Sequence, residues 1–242
     1  MVCSKSIPLG FLLFCLFHHV AIGASPLYHF CFSKQNYTAN SPYEANLNQL
    51  LDLLYTKVPP TGFGSGSTGQ DPNQVNGLAL CRGDVSSNNC KTCVVDASKK
   101  LGERCPDRKG AIIWYDNCML KYSDVNFVGQ IDNANRFYMW NVQEVDNPTP
   151  FNEKVKELLS GLSTTASSSN PKLYATGEVE LDKSTKLYGL VQCTRDLSEP
   201  DCKKCLDGAI SELPNCCDAK QGGRVVGGSC NFRYEIYPFV DS

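Results

Sequence analysis

Two stretches of this chain repeat each other: Cys81-RGDVSSNN-Cys90-KT-Cys93 and Cys193-TRDLSEPD-Cys202-KK-Cys205. Eight residues separate the first two cysteines and two separate the last pair, in both copies. The same alignment continues without a gap through four further identical pairs: Cys105 with Cys217, Gly110 with Gly222, Cys118 with Cys230 and Tyr122 with Tyr234. A gapless self-match of this length indicates a duplicated domain.

The first 24 residues have the features of a signal peptide. Lys5 supplies a positive charge, an apolar run extends from Ile7 to Val20, and small residues follow from Ala21 to Ala24. The apolar run is too short to span a bilayer comfortably, and no later run approaches that length. We therefore expect residues 1–24 to be removed and the mature protein to be soluble and secreted, without a membrane span.

The cysteines predict a disulfide framework. Of fourteen cysteines, Cys3 and Cys15 lie in the predicted signal peptide, which leaves twelve, six in each repeat. In an oxidising compartment such a set reads as disulfides. The two Cys-x-x-Cys pairs also fit a zinc ribbon, but thiolates rarely persist outside the cell. We expect no metal and no cofactor.

The charge and the histidine content limit the classes of function that the protein can have. A net charge of −2 and the lack of a long basic run argue against nucleic acid as a partner. The histidines are His18 and His19, in the signal peptide, and His29. The mature chain therefore has almost no histidine, which is the commonest general base, and a Ser-His-Asp or Cys-His catalytic site on the core of either repeat is excluded. No motif presents paired carboxylates, so we predict no catalytic residues and no enzyme activity.

Hydrophobic periodicity predicts the same elements in both repeats. Helices are expected at 42–56, 87–104, 149–162 and 199–213, among five short strands per repeat. The segments Gly62 to Gly69 and Ser163 to Asn170 are predicted to be loops. The first is rich in glycine but is not predicted to bind phosphate, because the Lys-Ser/Thr of a phosphate-binding loop does not follow it. Each repeat is therefore predicted to be an α+β unit, a five-stranded antiparallel sheet with two helices packed on one face. The short connection from Val125 to Arg136 predicts that the repeats touch.

The double cysteine motif and the ending Gly228-SCNFRYEIYP-Phe239 resemble plant cysteine-rich repeat secretory proteins. These proteins carry tandem ginkbilobin-2-homologous domains, also called DUF26 or stress-antifungal domains. The same domain occurs in ginkgo ginkbilobin and in the ectodomains of cysteine-rich receptor-like kinases. The resemblance covers nearly all of the mature chain, and implies a first domain at 25–130 and a second at 131–242.

The resemblance implies a disulfide pairing, and the second repeat departs from it. The implied pairs are Cys31–Cys105, Cys81–Cys90, Cys93–Cys118, Cys193–Cys202 and Cys205–Cys230. Trp140 stands where the first cysteine of the second repeat would be, so Cys217 lacks its expected partner, and Cys216 lies beside it. A bridge between these neighbours, two free thiols and an intermolecular bridge all remain open, as does a redox-sensing role.

The resemblance also implies a sugar site in the second repeat. The ginkgo member is known for binding mannose and for antifungal action, and its contact positions correspond here to Asn141, Arg224 and Glu235. The first repeat has lost all three polar groups, since its equivalent residues are Phe32, Ile112 and Ser123. Arginine donates hydrogen bonds, glutamate accepts them and asparagine does both, as sugar hydroxyls require. We expect Arg224 and Glu235 to form an ion pair. The alternative is that these two residues are an ordinary cross-strand pair and Asn141 an ordinary strand-end residue, with no sugar site.

These features predict a secreted plant defence protein of the apoplast that binds mannose-type glycans, such as fungal cell-wall mannan. The alternative is an apoplastic interaction or signalling module that partners the ectodomains of receptor-like kinases. Asn36-Tyr37-Thr38 predicts an N-glycosylated surface loop. Trp114 and Tyr115 fit either an exposed interface or the core.

Overall fold

The computed structural model describes residues 25–168 and 170–240, so the predicted signal peptide lies outside the described residues. The elements of the first repeat are β1 (Tyr28–Phe30), α1 (Pro42–Lys57), β2 (Phe63–Thr68), β3 (Val75–Cys81), α2 (Ser87–Arg104), β4 (Gly110–Trp114) and β5 (Cys118–Ser123). Those of the second are β6 (Arg136–Trp140), α3 (Pro148–Ser168), β7 (Tyr174–Glu180), β8 (Lys186–Cys193), α4 (Glu199–Ile210), α5 (Leu213–Cys216), β9 (Gly223–Gly227) and β10 (Cys230–Glu235).

Each repeat folds as one five-stranded antiparallel sheet with helices on one face, as the sequence predicts. The strand orders are β1-β4-β5-β3-β2 and β6-β9-β10-β8-β7, so the two topologies are the same. The matched serines of the repeat explain why the helices begin at equivalent places. Ser86 and Ser198 are the N-caps of α2 and α4, and each accepts a hydrogen bond from a backbone N–H three residues later.

The prediction of a loop at Gly62 to Gly69 is wrong, because β2 occupies most of this segment. Its glycines make room for α1 instead of making the chain flexible. A Cβ at Gly64 would lie 2.9 Å from the Val58 side chain, and one at Gly66 would lie 3.1 Å from that of Leu53. The small residues therefore let the helix pack closely on an edge strand.

The prediction of a loop at Ser163 to Asn170 is also wrong, since α3 continues to Ser168. Hydroxyl groups in this part bond back along the helix: Thr164 Oγ1 to the Ser160 carbonyl and Ser167 Oγ to the Ser163 carbonyl. Ser163 and Ala166 are fully buried, so packing holds residues that have a modest helix propensity.

The second helix of this repeat was predicted to reach Leu213, but α4 ends at Ile210. Pro214 has no N–H to donate to the Ile210 carbonyl, so the helix stops and the short α5 begins.

Six disulfides staple the described chain. Five are the pairs Cys31–Cys105, Cys81–Cys90, Cys93–Cys118, Cys193–Cys202 and Cys205–Cys230, and the sixth joins the neighbours Cys216 and Cys217. Both Cys-x-x-Cys pairs are thereby divided between separate disulfides, so none of these four cysteines offers a thiolate to zinc. The zinc-ribbon reading is wrong for this structure.

The two repeats touch through the sheet faces that do not carry helices. Alternate residues of the first sheet form a separate apolar cluster here, including Leu80, Ile112 and Trp114, with Val226 from the second sheet. The Trp114 ring packs edge-on against Phe137 at 5.2 Å, and its Nε1 donates to the Gly227 carbonyl at 3.1 Å. Trp114 is therefore both core and interface, and the contact predicted from the short connection is present. Among the described residues, no helix is both long and apolar enough to cross a membrane.

Candidate functional site

The three residues that the resemblance assigns to sugar binding border one cavity of about 220 Å³. Arg224 lies on β9, Glu235 ends β10 and Asn141 directly follows β6. Because β6, β9 and β10 are neighbours in the sheet, the ends of these strands bring the three side chains together. Met139, Trp140, Arg233 and Tyr237 complete most of the wall.

Gly222 shapes the floor of this cavity. Its carbonyl accepts a hydrogen bond from the Asn141 N–H at 2.8 Å, which ties the end of β6 to the start of β9. The Glu235 carboxylate lies where a Cβ of residue 222 would be, so any side chain at this position would displace it. The Asn141 Oδ1 accepts from the Gln143 N–H at 2.9 Å, which orients the amide.

The ion pair expected between Arg224 and Glu235 is not among those that the structure forms. In the register of β9 and β10, Arg224 lies opposite Arg233, and Glu235 is two residues further along its strand. Arg224 Nη1 instead donates to Asp116 Oδ1 at 2.6 Å, and Arg233 Nε donates to Glu235 Oε1 at 3.0 Å. Arg233 Nη1 also lies 3.7 Å from Asp116 Oδ1.

Burial and charge act against each other at these groups. Burial raises the pKa of Asp116, but Arg224, and then Arg233 and Arg82, outweigh it and leave the pKa below the ordinary value. Burial lowers the pKa of Arg224, and the Asp116 carboxylate partly offsets this effect. Arginine titrates so far above neutrality that Arg224 remains a cation. Asp116 and Arg224 therefore both remain charged over the physiological range.

Arg224 retains donor capacity. Its side chain is only 12% exposed, and its Nε is buried without a hydrogen-bond partner within the described part of the chain. Buried polar atoms in proteins are nearly always paired, so an unpaired donor on a residue that lines the cavity leaves hydrogen-bonding capacity unused.

The equivalent surface of the first repeat is buried in the contact between the two sheets. Phe30 pairs with Ile112 in the first sheet, and Met139 pairs with Arg224 at the same place in the second. The structural equivalents of Asn141, Arg224 and Glu235 are therefore Phe32, Ile112 and Ser123. Ile112 is fully buried in the cluster between the sheets, and Phe32 packs against that cluster. This copy of the position holds apolar packing where the second holds polar groups.

The same register places Trp140 where the first repeat has Cys31. Its side chain is 54% exposed, at the rim of the cavity. Without a cysteine on β6, the buried Cys217 pairs with the adjacent Cys216. Of the readings left open for these two thiols, the structure has the vicinal bridge.

Asp116, Arg233 and Tyr237 lie at the site but are not among the residues predicted from the sequence. Arg233 and Tyr237 alternate with Glu235 on β10 and just beyond it, so strand periodicity could have found them. Asp116 belongs to the other repeat, in the turn between β4 and β5, and only the packing of the two sheets brings it here. Asn36 of the predicted glycosylation site is exposed on the first repeat, and its modification remains a prediction.

Comparison with known proteins identifies the family. The family model described as "Salt stress response/antifungal" matches the chain twice, at residues 30–125 and 140–237. The chain belongs to this family. Each matched region contains the helices of one repeat and four of the five strands of its sheet.

The relatives agree with this assignment. The chain is 68% identical, over the whole length of both proteins, to an antimicrobial ginkbilobin-2-like protein of Castanea crenata. It is 58% identical to cysteine-rich repeat secretory protein 38 of Arabidopsis thaliana, covering 88% of this chain and 85% of the relative. The fold is similar to the tandem DUF26 ectodomain of the Arabidopsis cysteine-rich receptor-like protein PDLP8, with a TM-score of 0.79, 28% identity and coverage of 88% and 98%.

Proposed function

We propose that this protein is a secreted, non-enzymatic defence protein of the plant apoplast that binds mannose-type glycans, such as fungal cell-wall mannan, through its second repeat. The observation that carries the proposal is the convergence of Asn141, Arg224 and Glu235 on one cavity of about 220 Å³. Pockets for drug-sized ligands are typically larger, so a site of this size suits a single sugar unit. The antimicrobial name of the Castanea relative supports a role in defence.

The chemistry of the cavity suits a hexose. Arg224 supplies donors, Glu235 supplies acceptors and the Asn141 amide supplies both, so adjacent hydroxyl groups can each find a complementary partner. Hydrogen bonds to charged groups are the stronger ones. At the rim, Trp140 and Tyr237 are about half exposed, and such amphipathic rings suit the apolar C–H face of a pyranose.

The affinity of one such site is expected to be low. A millimolar dissociation constant corresponds to about −4 kcal/mol, which a few hydrogen bonds at a shallow cavity can supply. Useful binding then depends on repeated sugars on one surface, because linked sites raise the effective concentration. Mannan on a fungal wall presents such a surface.

The proposal is tested by mannan binding of site variants. Arg224→Ala is expected to weaken binding by about 10- to 100-fold, because a charged hydrogen bond contributes about 1.5–3 kcal/mol. Asn141→Ala and Glu235→Ala should also weaken it. Binding is measured on immobilised mannan and by titration with mannose oligosaccharides.

A matched control is Arg104→Ala, which removes an exposed arginine at the end of α2 in the first repeat. Ile112→Ala, at the position equivalent to Arg224, is unsuitable because Ile112 is fully buried between the sheets. Equal binding by wild type and the Arg224 variant would count decisively against this site.

The alternative function is a protein-interaction module that partners receptor ectodomains, with redox sensitivity from Cys216–Cys217. Two observations favour it: the fold resembles the ectodomains of receptor-like proteins, and edge strand β6 exposes Tyr138, Met139 and Trp140. A glycan array probed with wild type and the three site variants separates the two functions. Binding to no glycan, together with capture of a receptor ectodomain, favours the alternative.

A further inference from the structure

Four charged side chains form a continuous series across the boundary between the repeats. Arg224 contacts Asp116 at 2.6 Å, Asp116 lies 3.7 Å from Arg233, and Arg233 contacts Glu235 at 3.0 Å. Arg224, Arg233 and Glu235 belong to the second repeat, whereas Asp116 comes from the first. Arg224 and Glu235, two of the residues predicted to bind the sugar, are therefore connected through an aspartate of the first repeat.

We propose that Asp116 and Arg233 are positioning residues of the glycan site, which makes that site a joint product of both repeats. The inference rests on the proposed function for its ligand. It adds that Asp116 sets the place of the Arg224 guanidinium, and that Arg233 sets the place of the Glu235 carboxylate.

The two arginines of this series repel each other. Arg224 and Arg233 lie directly opposite each other on β9 and β10, and like charges in this arrangement destabilise a sheet. Their side chains are only 12% and 13% exposed, so water screens this repulsion weakly. A carboxylate within reach of both guanidinium groups offsets it. The pKa of Asp116, lowered by these arginines, reflects the same interaction.

The contacts of the series use only part of the hydrogen-bonding capacity of Arg224 and Glu235. Asp116 engages Nη1 of Arg224, while the buried Nε has no partner within the described residues. Arg233 engages Oε1 of Glu235, while Oε2 lies over Gly222 at the cavity wall. The series of contacts therefore leaves a donor on Arg224 and an acceptor oxygen on Glu235, as two neighbouring hydroxyl groups of a sugar require.

The two repeats differ at the positions of Asp116 and Arg233. The self-alignment places Gly228 opposite Asp116 and Lys121 opposite Arg233. Lys121 pairs with Asp132 from the start of the second repeat, at 2.7 Å. Each repeat thus pairs the basic residue of its central strand with an aspartate of the other repeat, but only one of these pairs adjoins the cavity.

The test is Asp116→Asn, which removes the charge and keeps the shape. We expect mannan binding about 10-fold weaker than wild type, with no further loss when the change is added to Arg224→Ala. A residue that merely supported the fold would lower binding in both backgrounds. Asp52→Asn, on the exposed face of α1, is the matched control.

Side-chain NMR of Arg224 gives a readout that needs no ligand. We expect its Nε–Hε signal to be ordered in wild type and mobile in Asp116→Asn. Unchanged or tighter glycan binding by this variant overturns the inference and leaves the proposed function intact. If wild type binds no glycan, the proposed function fails, and the NMR signal then decides the positioning role: an unchanged signal overturns it.

Discussion

Gly222 illustrates how one residue without a side chain decides the geometry of a polar site. Its carbonyl holds Asn141, and the space above it holds the Glu235 carboxylate. The repeat alignment pairs it with Gly110, where the ring of Phe32 occupies the corresponding space. The same glycine thus serves apolar packing in one copy and a polar cavity in the other.

Gly222→Ala is expected to impair glycan binding with little loss of stability. The added methyl group overlaps the end of the Glu235 side chain, which can move aside at small cost but then leaves the cavity. Binding to mannan should fall at least several-fold, while the free energy of unfolding changes by less than about 1 kcal/mol. Denaturant unfolding and mannan titration of the same preparation check both parts. Full binding by the variant would show that the position of Glu235 is unimportant.

At the scale of elements, the sequence predicts where the helices begin more accurately than it predicts the secondary structure of the segments rich in small residues. Serine N-caps act within one turn, so they can be read locally. The strand β2 and the last turns of α3 depend on what packs against them: Gly66 faces Leu53 of α1, and Ser163 is buried beside Asp207 of α4. Composition alone favours a loop in both segments, and tertiary contacts override it.

Two glycines of the second repeat give a matched prediction. Gly189→Ala in β8 places a methyl group 2.9 Å from Leu158 and Leu162 of α3, so we expect a loss of about 1–3 kcal/mol from overpacking. Gly161→Ala on the open side of α3 meets nothing within 4 Å and should stabilise by about 0.5–1 kcal/mol. Chemical denaturation of both variants tests the pair. A destabilised Gly161 variant would contradict the assignment of this segment to a free helix surface.

At the scale of the whole molecule, two sheets are joined by an apolar cluster with charged pairs around it. Lys121 and Asp132 form the most buried of these pairs, with side chains 6% and 7% exposed. The Lys121 ammonium also lies 4.1 Å from the centre of the Phe127 ring. Because the pair links the repeats, its loss should loosen their contact as well as lower the stability.

Asp132→Asn is expected to cost about 3 kcal/mol, because it leaves Lys121 buried without a counter-charge. Burial raises the pKa of Asp132, but hydrogen bonds from Lys121 and Asn135 outweigh it and keep the pKa below its ordinary value of 3.8. The carboxylate therefore contributes stability above that value, and the contribution is lost as the pH falls through the lower pKa of the folded protein. Unfolding measured from pH 6 to pH 2 should show a smaller acid-dependent loss in the variant. An equal pH dependence in both proteins would contradict this role.

The sequence by itself determined the duplication and the α+β class, and the family resemblance predicted the candidate site residues Asn141, Arg224 and Glu235. The duplication and the class follow from local spacing, since cysteine intervals, helix caps and strand alternation are properties of short segments. Only the tertiary structure decided that Asp116, rather than Glu235, contacts Arg224, and that the equivalent of this site in the first repeat is buried. Both depend on how two separately patterned sheet faces meet. Residues 108 positions apart then become neighbours, and no local pattern encodes that distance.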